Sequence, residues 1–223
     1  MRSEDLEEAL RNYKMQVFTI NDAAKLTGKP NKYVSLFLSK NKRFTKIIRG
    51  RYCIRNASIY AIASGILAPS YISGISALRY YNLITQMPNT IEVISARQHK
   101  PIEIQGYMVK FIKFSREHIF GYRKEDGAMI ADPEKAIIDS LYMRLDYSYV
   151  SEAMGSYLSS IDDKKLIRYA IEMDSKATVS RLGFLMDRFG LDSSRLIKLK
   201  SEHKVRTSPL EGKTDKKWGV SYA

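Results

Sequence analysis

Apolar positions recur with a helical period near the start of the chain. Leu6, Ala9, Leu10 and Tyr13 fall on one side of a predicted helix over residues 4–15. Val17-Phe18-Thr19-Ile20 is a short extended run. Asn21 then has the chemistry of an N-cap for a helix over 22–26, with Asp22 favourable at its positive end. Thr27-Gly28-Lys29-Pro30 is a turn by composition. The next predicted helix, 31–40, carries Val34, Phe37 and Leu38 as an i, i+3, i+4 stripe that packs inward, with Asn31, Lys32, Ser35 and Ser39 opposite. Two short strands, 45–48 and 52–54, are joined by the tight hairpin Arg49-Gly50-Arg51. Helix, strand, helix, turn, helix, hairpin is the order of a winged helix-turn-helix.

Residues 57–67 predict a helix leading out of that unit, and Pro69 marks a boundary. Ser73 can cap a helix over 74–81. Strands are predicted over 91–95 and 107–114, with a further short one over 128–131. Asp132-Pro133-Glu134 opens a helix with a cap residue and a proline in its first turn, burying Ile137, Ile138, Leu141 and Leu145. From 149 to about 200 the pattern is helical, broken near Ile161-Asp162, Ser175-Lys176 and Gly190, and a strand is placed around Trp218-Gly219-Val220. The expected fold class is α+β: an N-terminal winged helix-turn-helix over 1–68, then a mixed domain over 69–223 with a small β-sheet and a mostly helical C-terminal part.

Charge sharpens this picture. Between Val17 and Asn56 ten Lys or Arg residues stand against one acid, Asp22, so this stretch holds +9 of the chain's net +13. Local basicity on a small folded unit is the footprint of a DNA binder, because neutralised phosphates release condensed counterions. No run of eighteen apolar residues exists, and the acidic start (Met1–Leu10) lacks the basic-then-apolar order of a signal peptide. A cytoplasmic protein without a membrane span is expected. Cys53 is the sole cysteine, which fits a reducing compartment, and its place between Tyr52 and Ile54 reads as a small packed residue in a strand.

A recognition helix needs an apolar back and short polar or basic residues toward its N-terminal half. Asn31, Lys32, Tyr33 and Ser35 meet that requirement: Asn suits adenine, Lys suits guanine, and Tyr and Ser more often touch phosphate. Lys40, Lys42, Arg43, Arg49 and Arg51 are expected to hold phosphates, with the two arginines at a wing tip. Catalysis finds little support. His99, His118 and His203 lie in different segments without metal-ligand spacing, and no phosphate-binding loop, dinucleotide fingerprint or nucleophile elbow occurs. Asp132, Glu134 and Asp139 could be read as the carboxylates of a nuclease. The first two stand where a helix start wants a cap and a negative charge, and Asp139 reads as a residue at a polar edge. No catalytic residue, cofactor or metal is expected. Trp218, the only tryptophan, is expected to dock on the second domain, within a tail carrying Lys204, Arg206, Lys213, Lys216 and Lys217.

Four ordered blocks carry a family resemblance. They are the basic unit Phe18–Ile54, Ser73-Gly74-Ile75-Ser76-Ala77-Leu78, the run from Ile130 through Asp132-Pro133-Glu134-Lys135 to Asp139, and Arg181-Leu182-Gly183-Phe184-Leu185. Together they resemble the AbiEi-type antitoxins, transcriptional regulators of viral defence systems. Lys135 stands where that family often has arginine, keeping the charge without the planar fork. The resemblance implies a DNA-binding domain that represses its own operon at inverted repeats; two copies on such a repeat are the geometric expectation. It also implies a second domain that counteracts a nucleotidyltransferase-type toxin without forming a stable complex with it. Ser73, Ser76, Asp132, Glu134, Lys135 and Arg181 are the residues it marks in that second domain. Two rival readings are a solitary regulator whose second domain senses a ligand or another protein, and a defence-associated nuclease.

Overall fold

The computed structural model describes residues 2–207 and 212–222 and is a mixed α+β fold. The N-terminal unit begins with α1 (Ser3–Asn12), whose Leu6 and Leu10 are buried. Strand β1 (Val17–Thr19) leads directly into α2 (Ile20–Thr27), and α3 (Asn31–Lys40) follows a short turn. The cap of α2 is Thr19, not Asn21. Thr19 Oγ1 accepts from the Asp22 N–H at 3.1 Å, and the Asp22 carboxylate takes the Thr19 N–H at 2.8 Å. This reciprocal capping box satisfies two end donors at once, which a lone Asn21 would not, and it starts the helix two residues earlier than expected. Gly28 ends α2 at φ +64°, in the left-handed region. Strands β2 (Phe44–Ile48) and β3 (Arg51–Ile54) form the hairpin, closed by Gly50 at φ +79°. Strand β3 is central in the antiparallel order β1-β3-β2, with Thr19 opposite Arg51 and Phe44 opposite Ile54. Phe18, Val34, Leu38, Phe44 and Tyr52 close a core beneath α1 and α3, and Cys53 is buried among them as expected. Burial raises the Cys53 thiol above the usual cysteine range, against the pull of a backbone hydrogen bond at Thr45.

Helix α4 (Ile59–Gly65) joins two cores: Ile62 belongs to the first, and Ala61, Ala63 and Ile66 just beyond it belong to the second. The sheet that follows is larger than the small sheet expected. Six strands stand in the order β6-β7-β5-β4-β9-β8, comprising β4 (Ser70–Ile72), β5 (Thr90–Ser95), β6 (Ile102–Ile104), β7 (Tyr107–Lys113), β8 (Tyr122–Glu125) and β9 (Ala128–Ala131). Pairing is parallel between β5 and β7 and between β4 and β9, and antiparallel elsewhere. Helix α5 (Gly74–Tyr80) leaves β4, and α6 (Pro133–Met143) leaves β9. α6 is the hub of the second core. Every residue from Pro133 to Leu141 is buried, and the helix packs against α5, α7 (Tyr147–Tyr157), α8 (Asp163–Glu172) and α9 (Lys176–Arg188).

The breaks expected at Asp162 and Ser175 are real helix starts, each residue capping its helix through its own side chain. Residues 194–199 form a 3-10 segment where continuous α-helix was expected. The tail adds a small sheet in the order β10-β12-β11, from β10 (Val205–Arg206), β11 (Lys213–Asp215) and β12 (Val220–Tyr222). Trp218, in the turn before β12, is fully buried, and its Nε1–H donates to Asp187 at 2.7 Å. A Cβ on Gly183 would fall inside the Trp218 ring, so glycine at that position opens the socket. Gly183→Ala is therefore expected to expel the indole, shifting the emission of the only tryptophan to the red.

Asp187 sets the pH dependence of the same socket. Burial works against its ionisation, but hydrogen bonds from Lys217, Ser193 and Trp218 outweigh it and hold the carboxyl below the usual aspartate value. A depressed folded pKa gives stability that is full above the unfolded value of about 3.9 and lost as pH falls through the folded one. Trp218 emission should therefore stay constant down to about pH 4 and change only below it.

Candidate nucleic-acid interface

The end of the three-stranded sheet at the Thr19–Arg51 pair is where α2 begins, where the β2–β3 hairpin turns and where the N-terminal half of α3 lies. Val34 and Leu38 anchor α3 to the core, which leaves Asn31, Lys32 and Tyr33 exposed and Ser35 half-buried. A shallow groove of about 490 Å³ opens here, lined by Thr19, Ile20, Asn21, Asn31, Lys32, Ser35 and Gly50. Asn31 Nδ2 donates to Asn21 Oδ1 at 2.7 Å, tying α3 to the start of α2. That bond leaves the Asn31 carbonyl oxygen and a second amide hydrogen to be used. Arg49 is exposed in the hairpin turn, and Arg51 lies half-buried opposite Thr19. Lys29 is exposed in the turn just before α3.

The sequence-expected residues do not all converge. Asn31, Lys32 and Ser35 meet the hairpin turn, but Lys42 and Arg43 line a separate depression with Glu7, Asn41, Arg55 and Asn56. That depression lies toward the Phe44–Ile54 end of the sheet. Arg43 is also spoken for: its guanidinium reaches Glu4 at 2.7 Å and Glu7 at 3.1 Å on α1. Both carboxyls are held below the usual glutamate range. For Glu4 a backbone hydrogen bond leads and Arg43 follows, while for Glu7 the hydrogen bond from Arg11 is the largest effect. Arg43 thus ties α1 to the start of β2, away from the α3 groove. Thr19, Ile20 and Asn21 join the groove without having been singled out for it. The spacing Thr19-x-x-Asp22 was the available signal, since a capping box fixes where the helix start lies.

The six second-domain residues marked by the family resemblance are all buried. Lys135 Nζ pairs with Asp139, one helical turn away on α6, and neither side chain is exposed. Asp139 Oδ2 also accepts from Ser73 Oγ at 2.7 Å and Tyr71 OH at 3.0 Å, and the Phe120 ring lies 4.3 Å from the ammonium. Burial pushes Lys135 down and Asp139 up, each opposed by the charge of its partner. Asp139 is therefore fully buried within the second core, not at a polar edge.

Ser73 occupies the N-cap position of α5 but gives its hydroxyl to Asp139. The Glu92 carboxylate takes the Ile75 N–H in its stead, at 2.8 Å. Ser76 Oγ donates to Thr90 O and accepts from Glu92 N, stitching α5 to β5. Asp132 likewise makes no cap bond. It accepts from Tyr169 OH at 2.9 Å and shares Lys165 with Glu134, at 2.9 and 3.0 Å. Arg181 donates to Arg206 O and Leu141 O, tying α9 to α6 and the tail, and burial lowers it to about 10. These groups act as a polar frame around α6, with partners from α5, α7, α8, α9 and the tail. Among the described residues, no group of three or more His, Cys, Asp or Glu side chains is placed to hold a metal ion.

Among the described residues, no helix is long and apolar enough to cross a membrane. No protein-family model matches the chain, and no curated protein matches it in sequence. Among solved structures, the fold is similar to that of the RV2827C protein from Mycobacterium tuberculosis, with a TM-score of 0.58 at 13% identity. The likeness covers 98% of this chain and 90% of that one. At that identity it speaks for the fold alone.

Proposed function

We propose that the N-terminal unit is a winged helix-turn-helix that binds duplex DNA, with α3 in the major groove and the β2–β3 hairpin on the neighbouring backbone. The observation that carries this reading is the groove where the N-terminal half of α3, the start of α2 and the arginine-flanked Gly50 turn converge. It lies within the stretch holding +9 of the chain's +13 charge. An apolar-backed helix presenting Asn31, Lys32 and Ser35 is suited to base edges, and the cations beside it to phosphates.

With the AbiEi resemblance of the four sequence blocks, we extend the proposal to a cytoplasmic repressor and antitoxin of a phage-defence pair. It binds an inverted repeat in its own promoter as two copies and counteracts a nucleotidyltransferase-type toxin without a stable complex. The burial of Asp132, Glu134 and Asp139 and their ion pairs with Lys165 and Lys135 favour a structural over a nucleolytic role for these carboxylates.

Footprinting on the region upstream of the gene tests the repressor reading, with two protected half-sites about one helical turn apart expected. The wing is tested separately. Arg49→Ala with Arg51→Ala should weaken binding to every duplex and reduce the salt slope by about two units. Arg43→Ala should leave that slope unchanged, because Arg43 lies away from the α3 groove and pairs with Glu4 and Glu7 on α1.

A further inference from the structure

A groove of about 610 Å³ lies between the N-terminal unit and the β8–β9 hairpin. One wall comes from the end of α1 and the link to β1 (Arg11, Lys14, Met15, Gln16), with Ile54 and Asn56 following β3. The opposing wall is the turn from Lys124 to Gly127. The size falls within the range of small-molecule sites.

The lining chemistry is specific. Arg11, Lys14 and Lys124 face one acid, Asp126, with Met15 and Ile54 supplying apolar surface. Among the described residues, Lys14 and Lys124 have no carboxylate within ion-pair distance, and Arg11 is paired with Glu7 along its own helix at 2.8 Å. Lys124 Nζ instead reaches the Tyr13 carbonyl across the seam at 3.4 Å. Cations beside apolar surface suit a ligand that joins an anionic group to a less polar body.

The same groove straddles a seam that polar contacts bridge, Lys124 to the Tyr13 carbonyl among them. The Gln16 amide spans it, donating to Asp126 O at 2.5 Å and accepting from Ser58 N at 2.8 Å. Gly127 permits this approach, since a Cβ there would press on the Gln16 side chain. The site also lies away from the proposed duplex face. Gln16 and Ile54 adjoin the Val17–Cys53 end of the small sheet, and the α3–hairpin groove lies at the Thr19–Arg51 end.

We propose that this groove binds a phosphorylated small molecule of the nucleotide class, phosphates on Lys14 and Lys124, and that occupancy changes duplex affinity by altering how the N-terminal unit is held. The regulatory half rests on the DNA-binding reading; the binding half does not.

The test is calorimetric titration of the full chain with ATP, pyrophosphate and adenosine, in the absence of DNA. ATP is expected to bind saturably with a dissociation constant of about 1 mM or tighter, with pyrophosphate weaker and adenosine undetectable. Lys14→Ala with Lys124→Ala should weaken ATP by at least about tenfold, with Trp218 emission and ligand-free duplex binding unchanged. No saturable ATP binding, or binding unaffected in that variant, overturns the site. In a second arm, ATP should change duplex affinity for the unaltered chain and not for the variant. Direct one-for-one competition between ATP and duplex would overturn the proposal by placing these cations on the DNA face. ATP binding in a chain that fails to bind any duplex would refute the regulatory half alone.

Discussion

Asp139→Ala is expected to destabilise the protein by about 3–5 kcal/mol, the usual consequence of stranding one member of a buried ion pair. The variant removes the partner of Lys135 and the acceptor used by Tyr71 and Ser73, leaving an ammonium and two hydroxyls without it in the second core. For a chain of this size that loss corresponds to a drop in Tm of roughly 6–20 °C. Chemical denaturation followed by circular dichroism measures it. Joint replacement, Lys135→Met with Asp139→Leu, should recover most of the loss, because buried pairs traded for apolar groups of similar volume are often neutral or stabilising. A joint variant as unstable as the single one would mean that the pair supports the fold through something other than its mutual charge.

The second large effect concerns base recognition. Replacing Asn31 and Lys32 together by alanine should remove about 1–3 kcal/mol of discrimination for each base these side chains read. With one base read by each, preference for the operator over an unrelated duplex would then fall by roughly thirtyfold or more, while affinity for the unrelated duplex changes little. Competition binding with the two duplexes reads this ratio directly. Equal losses on both sequences would reassign α3 to backbone contact.

Much of the N-terminal unit was legible in the sequence. α3 was bounded at both ends because Val34, Phe37 and Leu38 keep one helical stripe and Pro30 blocks the turn before it. The hairpin was legible from Gly50 between two arginines. The start of α2 was missed because Asn21 and Thr19 are both competent caps, and only the reciprocal bond with Asp22 decides between them.

The second domain hid more. Strand β4 has just three residues, all buried, so it shows no alternation, and β6 and β8 are short strands of modest burial. Their pairing is set by contacts distant in sequence, such as Ile72 with Ile130. Asp139 illustrates the same limit. An acid four residues after a lysine on a helix ordinarily signals a solvated pair, and nothing local reveals that Tyr71, Ser73 and Phe120 enclose it. Of the candidate groove, the α3 side chains and the hairpin turn were foreseeable. The bracing of Arg43 by Glu4 and Glu7 depends on α1 folding back across the sheet end and was not.

The most direct measurement is the affinity of the intact chain for a double-stranded oligonucleotide from its own upstream region, titrated between 50 and 200 mM salt. If about six cations meet phosphates, affinity should fall by roughly three decades over that range, linearly in the logarithm of salt concentration. An affinity for duplex that is absent, or that does not respond to ionic strength, would contradict the account.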